Sequence, residues 1–152
     1  MSTVLAVNEF KFLIQDDGTY IKRIQFLEEN SSLLESTDLN PLLASLKDEL
    51  AAYFSGSLTS FSTPYKLEGS PFQIRVWELM KNIGYGQVRS YGELAKELGG
   101  KNYARAVGGA CNKNPLPVLI PCHRVSASNH IGGFAFGLST KEKLLKLEKS
   151  IF

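Results

Sequence analysis

Residues 90–115 read SYGELAKELGGKNYARAVGGACNKNP. Ser90 and Glu93 stand at capping-box spacing, so a helix is expected to open at Tyr91 and close at Gly99-Gly100. Asn102 can then cap a second helix, Tyr103 to Lys113, stopped by Asn114-Pro115. Two short helices joined by a tight glycine-containing turn form a helix-turn-helix pattern, one shared by many helical hairpins that bind nothing. The second helix has an oddity. It carries Gly108 and Gly109, each costing about 1 kcal/mol against alanine in a helix interior. Small residues suit close approach of a backbone to another surface. That surface is either a neighbouring helix or DNA, with Arg105 projecting from the same helix, and the pattern leaves both open.

Outward from this stretch, two more capping boxes mark helix starts. Ser70-Pro71-Phe72-Gln73 opens one carrying Ile74, Trp77 and Met80 and ending near Gly84, and Ser139-Thr140-Lys141-Glu142 opens the last, with Leu144, Leu145 and Leu147. Nearer the N-terminus, Phe10, Phe12 and Ile14 alternate, Asp16-Asp17-Gly18 supplies a turn, and Ile24 and Phe26 alternate after it: a hairpin. Asn40-Pro41 opens a helix through Leu42, Leu43, Leu46, Leu50, Tyr53 and Phe54. Residues 57–69, with Ser, Thr, Pro and Gly, read as a linker. The fold class is α+β: a small αβ N-terminal lobe over 1–65 and a helical C-terminal lobe with a helix-turn-helix over 66–152.

The 152 residues, 43% hydrophobic and 21% charged, suit an ordinary globular protein. No apolar run is long enough to cross a membrane, and the N-terminus is a poor signal peptide. Two cysteines make no disulfide scaffold, so the expected home is the reducing cytoplasm with both thiols free. Nothing resembles a coiled coil, which makes a monomer the default. Charge is uneven. Residues 1–69 hold five Lys/Arg against ten Asp/Glu, and residues 70–152 hold twelve against five. A basic half suggests a polyanionic partner such as nucleic acid, although charge alone favours a merely solvated surface.

That basic half contains Pro121-Cys122-His123-Arg124-Val125. Nearby positive charge is expected to lower the Cys122 pKa and raise its thiolate fraction. Side chains adjacent in an extended segment point to opposite sides, so a water is a plausible bridge between Cys122 and His123. Glu148, on the last helix, is a candidate to orient the imidazole. Cys111 reads as a small buried hydrophobe without chemistry. Cys111, Cys122, His123 and His130 match no usual zinc spacing, and neither a phosphate-binding loop nor a cofactor fingerprint appears, so no metal and no cofactor are expected.

From Ser70 to Glu148 the chain resembles the O6-alkylguanine-DNA alkyltransferases, also called methylated-DNA–protein-cysteine methyltransferases. The segments are SPFQIRVWELMKNIGYGQVRSYGELA, ARAVGGACNKNPLPVLIPCHRV and GLSTKEKLLKLE. The resemblance implies direct repair of double-stranded DNA. Cys122 would take the alkyl group from O6 of a flipped-out guanine, once per molecule. His123, oriented by Glu148, would deprotonate Cys122 through a water, and Asn114 would brace the turn beside it. Tyr91 would sit at the flipped nucleotide's phosphate and donate a proton or hydrogen bond to the leaving base. Arg105 would fill the vacated stack, and Ala106, Gly108 and Gly109 would lie against the DNA. Val125, Phe134 and Ala135 would line the guanine pocket.

Departures lie in GGFAFGL. The family often has Tyr and Ser where this chain has Phe134 and Ala135, Phe136 replaces a frequent glycine, and the loop between Cys122 and Gly137 is slightly short. Two rivals remain: a damage binder that does not transfer, as in alkyltransferase-like proteins with another residue at the Cys122 position, and a cysteine hydrolase.

Overall fold

A computed structural model describes residues 2–28, 30–127 and 130–149. The chain divides into two compact units, Met1–Glu68 and Gly69–Phe152.

The first unit is a three-stranded antiparallel sheet, β1 (Ser2–Val7), β2 (Phe10–Asp16) and β3 (Ile21–Leu27), in the order β1-β2-β3, with one helix, α1 (Pro41–Phe54). The hairpin is β2–β3, with Phe12 opposite Phe26 and Ile14 opposite Ile24. Its turn is held by aspartates acting on the backbone: Asp16 accepts from Gly18 N, and Asp17 from Thr19 N and Tyr20 N. β1 was not foreseen. Its residues Thr3, Val4 and Leu5 are all buried, so it lacks the in-out alternation that marks a strand. The outer edge of β1 is blunted by Ser36, whose Oγ accepts from Val4 N (3.0 Å) and whose N donates to Val4 O (2.9 Å). Asn40 caps α1, accepting from Leu43 N at 2.9 Å. Leu43, Leu46, Leu50 and Tyr53 then join Leu5, Phe12, Ile14 and Ile24 in the core.

The stretch 57–68 is more than a linker. Glu49 on α1 accepts from the N–H and hydroxyl of both Ser62 and Thr63, and Tyr65 bridges to Ile21. Local composition concealed this, because the anchoring carboxylate is distant in sequence.

The second unit contains α2 (Pro71–Lys81), β4 (Arg89–Ser90), α3 (Tyr91–Leu98), a 3-10 turn (Lys101–Tyr103), α4 (Ala104–Asn112), a second 3-10 turn (Cys122–Arg124), β5 (Val125–Ser126) and α5 (Leu138–Leu147). The capping boxes at Ser70/Gln73 and Ser90/Glu93 form as expected. Two other caps do not. Asn102 lies inside the 3-10 turn, and α4 starts after Tyr103 without a side-chain cap. The last helix starts one residue before Ser139, after Gly137, with no side-chain cap bond. Before α4 the 3-10 turn delivers the chain already coiled, whereas α5 opens from Gly137 at positive φ (99°), whose carbonyl accepts from Lys141 N at 3.2 Å. On α2, Val76 takes the buried place expected of Ile74, with Trp77 and Met80.

Trp77 packs at the centre of this unit. It is 2% exposed, and its Nε1 donates to Ala110 O at 2.8 Å, tying α2 to α4. Leu94, Ala95 and Leu98 of α3, Val107 and Ala110 of α4, and Leu144 and Leu145 of α5 complete the core. Among the described residues, no helix is long and apolar enough to cross a membrane.

Replacing Trp77 by Phe deletes that hydrogen bond and leaves a partial cavity. The expected loss is about 2 kcal/mol, read as a lower thermal midpoint by circular dichroism. An unchanged midpoint would show that the indole does not tie the two helices.

Candidate active site

Cys122 is placed by backbone geometry. Pro121 (φ −79°, ψ 67°) has the dihedrals of an inverse γ-turn, and Cys122 N donates to Ile120 O at 2.8 Å. The proline ring presets that φ. Ile120 O also accepts from Asn114 Nδ2 (2.8 Å), while Asn114 Oδ1 accepts from Leu116 N (3.0 Å). One buried amide therefore brackets residues 114–120. Within this loop Val118 adopts φ 77° while 3% exposed. A β-branched residue in the left-handed region is strained, and such strain persists only where the surroundings impose it.

Cys122, His123 and Arg124 form a 3-10 turn, not the extended segment expected, and all three are buried. The imidazole Nε2 lies 2.7 Å from Glu148 Oε2. The same carboxylate accepts two bonds from Arg124, Nε to Oε1 at 2.8 Å and Nη2 to Oε2 at 3.0 Å, while Arg124 Nη1 donates to Ile83 O at 2.6 Å. Gly86 N donates to Glu148 Oε1 as well, at 3.4 Å. Glu148 thus meets His123 as proposed from sequence. Arg124 was read only as nearby positive charge, yet it is the other half of the arrangement.

Burial sets the electrostatics. It pushes the Cys122 thiol up to about 11, against opposing pulls from the Asn114 side chain and the Lys141 ammonium. The expected lowering of this pKa is therefore overturned, because desolvation outweighs the neighbouring positive charge. Burial also lowers the His123 pKa, outweighing the support from Glu148. Glu148 is raised by burial but held down to about 2 by its bonds from His123 and Arg124. The resting site is a neutral thiol beside a neutral imidazole on an ionised carboxylate.

Tyr91 reaches the site because Ser90 does two jobs. It caps α3, and it pairs with Ser126 in the short parallel bridge of β4 with β5, where Arg89 also pairs with Val125. The tyrosine, half-buried, lies over Gly132 (φ 76°), where an added Cβ would come within 3.4 Å of its ring and 3.2 Å of Ala127 N. Val125 is buried, Phe134 half-buried and Ala135 exposed. Phe134 and Phe136 pack edge to face, 5.3 Å between centroids. Ser128 and Asn129, in the loop expected to be short, lie outside the described residues.

Lys141 escaped the sequence reading. It is fully buried and donates from Nζ to Val125 O (2.6 Å) and Gly133 O (3.0 Å). A signal existed: Lys141, Leu144, Leu145 and Glu148 follow i, i+3, i+4, i+7 spacing, which places two charges on the buried stripe of α5. Among the described residues, no group of three His, Cys, Asp or Glu side chains is placed to hold a metal ion.

Residues 71–150 match the family model described as 6-O-methylguanine DNA methyltransferase, DNA binding domain. The chain belongs to the 6-O-methylguanine DNA methyltransferase family. It is 50% identical over 103 residues to a methylated-DNA–protein-cysteine methyltransferase of Methanosarcina acetivorans, covering 67% of this chain and 66% of the relative. It is 48% identical over 104 residues to the protein of that name from Mycobacterium bovis, covering 68% and 63%. The match thus spans slightly less than two thirds of these relatives' own length. Among solved structures, Mycobacterium tuberculosis OGT in complex with DNA superposes with a TM-score of 0.85 at 35% identity, over 96% of this chain and 91% of that one.

In this family member the outer face of α4 is open. Arg105, Ala106 and Gly109 are exposed and Gly108 is half-buried, whereas Val107, Ala110 and Cys111 turn inward. A Cβ added at Gly108 or Gly109 would meet nothing within 4 Å. Among the described residues, helix packing therefore does not explain the two glycines. Cys111 is buried with its thiol pushed up to about 12, an inert neighbour.

The pKa directions set an acid dependence. Native His123 resists a proton that an unfolded histidine takes near pH 6.5, and native Glu148 resists one that an unfolded glutamate takes near pH 4.5. The unfolded state binds more protons in both ranges, so stability falls as pH drops, first below about 6.5 and further below about 4.5. Urea melts from pH 8 to pH 4 measure this. A flat profile would mean that neither group is perturbed by folding.

Proposed function

We propose that the chain repairs O6-alkylguanine in DNA by moving the alkyl group irreversibly to Cys122. The arrangement that carries this reading is Cys122 at a preset turn beside His123, which is held by Glu148 at 2.7 Å, in a chain of the methyltransferase family. The thiol proton passes through a water to the neutral imidazole, and the resulting imidazolium is supported by the ionised Glu148. The thiolate attacks the alkyl carbon, the carbon–O6 bond breaks, and guanine leaves as Tyr91 supplies a proton or hydrogen bond. A thioether is a poor leaving group, so each molecule reacts once.

The target atom is hidden in a duplex, so the nucleotide must leave the stack at a cost of a few kcal/mol. Arg105 on the open face of α4 is suited to fill the gap, and the exposed Ala106 and Gly109 let the helix backbone approach the minor groove. Basic side chains in residues 70–152 supply phosphate contacts. Val125, Phe134 and Ala135 line the guanine pocket.

Mass spectrometry after mixing with DNA containing O6-methylguanine tests the transfer. A single methyl on the Cys122 peptide is expected, with none in Cys122→Ala, which should still bind DNA. Binding without an adduct would make the protein a damage binder, and many turnovers per molecule would make it a hydrolase.

Arg105→Ala should slow repair of duplex DNA tenfold or more, an order-of-magnitude figure from the cost of unstacking. Reaction with free O6-benzylguanine should be spared. Equal losses on both substrates would remove Arg105 from the extrusion step.

A further inference from the structure

The cluster around Glu148 is open to solvent only at its arginine. The side chains of His123 and Glu148 are each 0% exposed, and that of Arg124 is 8% exposed. The loop after α2 lies against this opening. Ile83 O accepts from Arg124 Nη1 at 2.6 Å, and Gly86 N donates to Glu148 Oε1 at 3.4 Å. Between these two residues in sequence stands Tyr85, whose ring centroid lies 5.8 Å from the Arg124 guanidinium carbon. A tight turn sets the ring there. Gln87 N donates to Gly84 O at 3.0 Å, and the Gln87 side-chain oxygen accepts from Gly84 N at 3.2 Å. Gly86, third in the turn, takes φ 79°, a value that glycine adopts freely. A Cβ added at Gly86 would come within 3.3 Å of Glu148 O, so the turn is pressed against the end of α5. The transfer described above gives Tyr85 no part.

We propose that Tyr85 is a positioning residue, the cover that keeps water from the Arg124–Glu148 pair and so holds His123 neutral, in the form that can accept the thiol proton. His123 is pulled in two directions. Burial is the larger effect and discourages its proton, Glu148 encourages it, and the charges of Arg124 and Lys141 discourage it. Cys122 and Tyr91, the other titratable groups of the site, are held neutral by burial. Tyr85 stays neutral as well, since burial and then Glu148 raise its hydroxyl. A phenol ring suits the task. Its face attracts the guanidinium, and its bulk excludes water without adding a charge that would compete for the pair. Water admitted at Arg124 would solvate the carboxylate and the imidazole together. The burial effect shrinks with it, and because that effect is the larger, the imidazole then takes a proton at higher pH. A protonated His123 cannot accept the proton of Cys122.

The inference rests on His123 being the base for Cys122, and its test uses no DNA. The chain has two histidines, His123 and His130. The imidazole resonances of His123, assigned with the help of His130→Gln, are followed by NMR from pH 8 to pH 5.5. In the unmutated protein they should stay near the neutral position at pH 6. Tyr85→Ala should raise the imidazolium fraction at pH 6 about threefold or more. Tyr85→Phe keeps the ring and should match the unmutated protein. A ring that merely fills space would lower the melting temperature of Tyr85→Ala and leave the imidazole signals in place, and that result overturns the proposal. Should Tyr85→Ala not fold, Tyr85→Leu, which keeps bulk but loses the aromatic face, decides by the same signals. A rise in the imidazolium fraction is expected, and no change overturns the proposal. A rise together with no transfer from methylated DNA would keep Tyr85 in this role and refute the repair reading alone.

Discussion

The buried carboxylate of Glu148 is the interaction on which the second unit depends. It sits at the end of α5, 3% exposed, and accepts from the imidazole of His123, twice from the guanidinium of Arg124, and from Gly86 N. Three separate segments meet there: the 3-10 turn of Cys122, the loop after α2, and the last helix. Removing one partner from such a cluster leaves an uncompensated charge, typically costing 3–5 kcal/mol. The same bonds fix the direction of the imidazole. Stability and chemistry are therefore served by one set of hydrogen bonds, and Arg124 is as necessary to it as His123.

Around this cluster the chain keeps the Cys122 thiol protonated. Burial holds the thiol near 11, so at neutral pH almost no thiolate exists. A resting thiol is slow toward stray electrophiles. The inverse γ-turn at Pro121, the Asn114 amide and the strained Val118 place the sulfur without a side-chain hinge. Such preorganisation lowers the cost of aligning the reacting atoms.

The α4 helix shows the reverse economy. Its inward face packs Val107, Ala110 and Cys111, and Trp77 locks its Ala110 carbonyl. The helix also carries Gly108 and Gly109, which no neighbour among the described residues requires sterically. Stability is given up there for a smooth surface beside Arg105, which suits a groove better than a core. In the loop before α5, the edge-to-face pair of Phe134 and Phe136 stands where the resemblance leads one to expect Tyr and Gly. Two aromatic rings packed on each other, one of them over the Lys141 ammonium, make this stretch of the loop apolar.

Much was readable from sequence because it is local. Capping boxes at Ser70 and Ser90, the glycine stop at Gly99-Gly100 and the Asp-Gly turn of the hairpin depend on residues two to four apart, and each forms as read. The Pro-Cys-His-Arg-Val block pointed to the family, and that resemblance, not the spacing, named Glu148 as the partner of His123. Sequence could not say that β1 exists, since its burial on both faces erases the alternation that marks a strand. It misplaced the caps of α4 and α5, where a 3-10 turn and a positive-φ glycine respectively stand in place of a polar side chain. It also gave the wrong sign for the thiol. Neighbouring cations are visible in a string of letters, but the depth at which they lie is not, and desolvation is the larger effect. Arg124 and Lys141 were hidden for the same reason: each matters through a partner 16 to 41 residues away, a separation that folding closes.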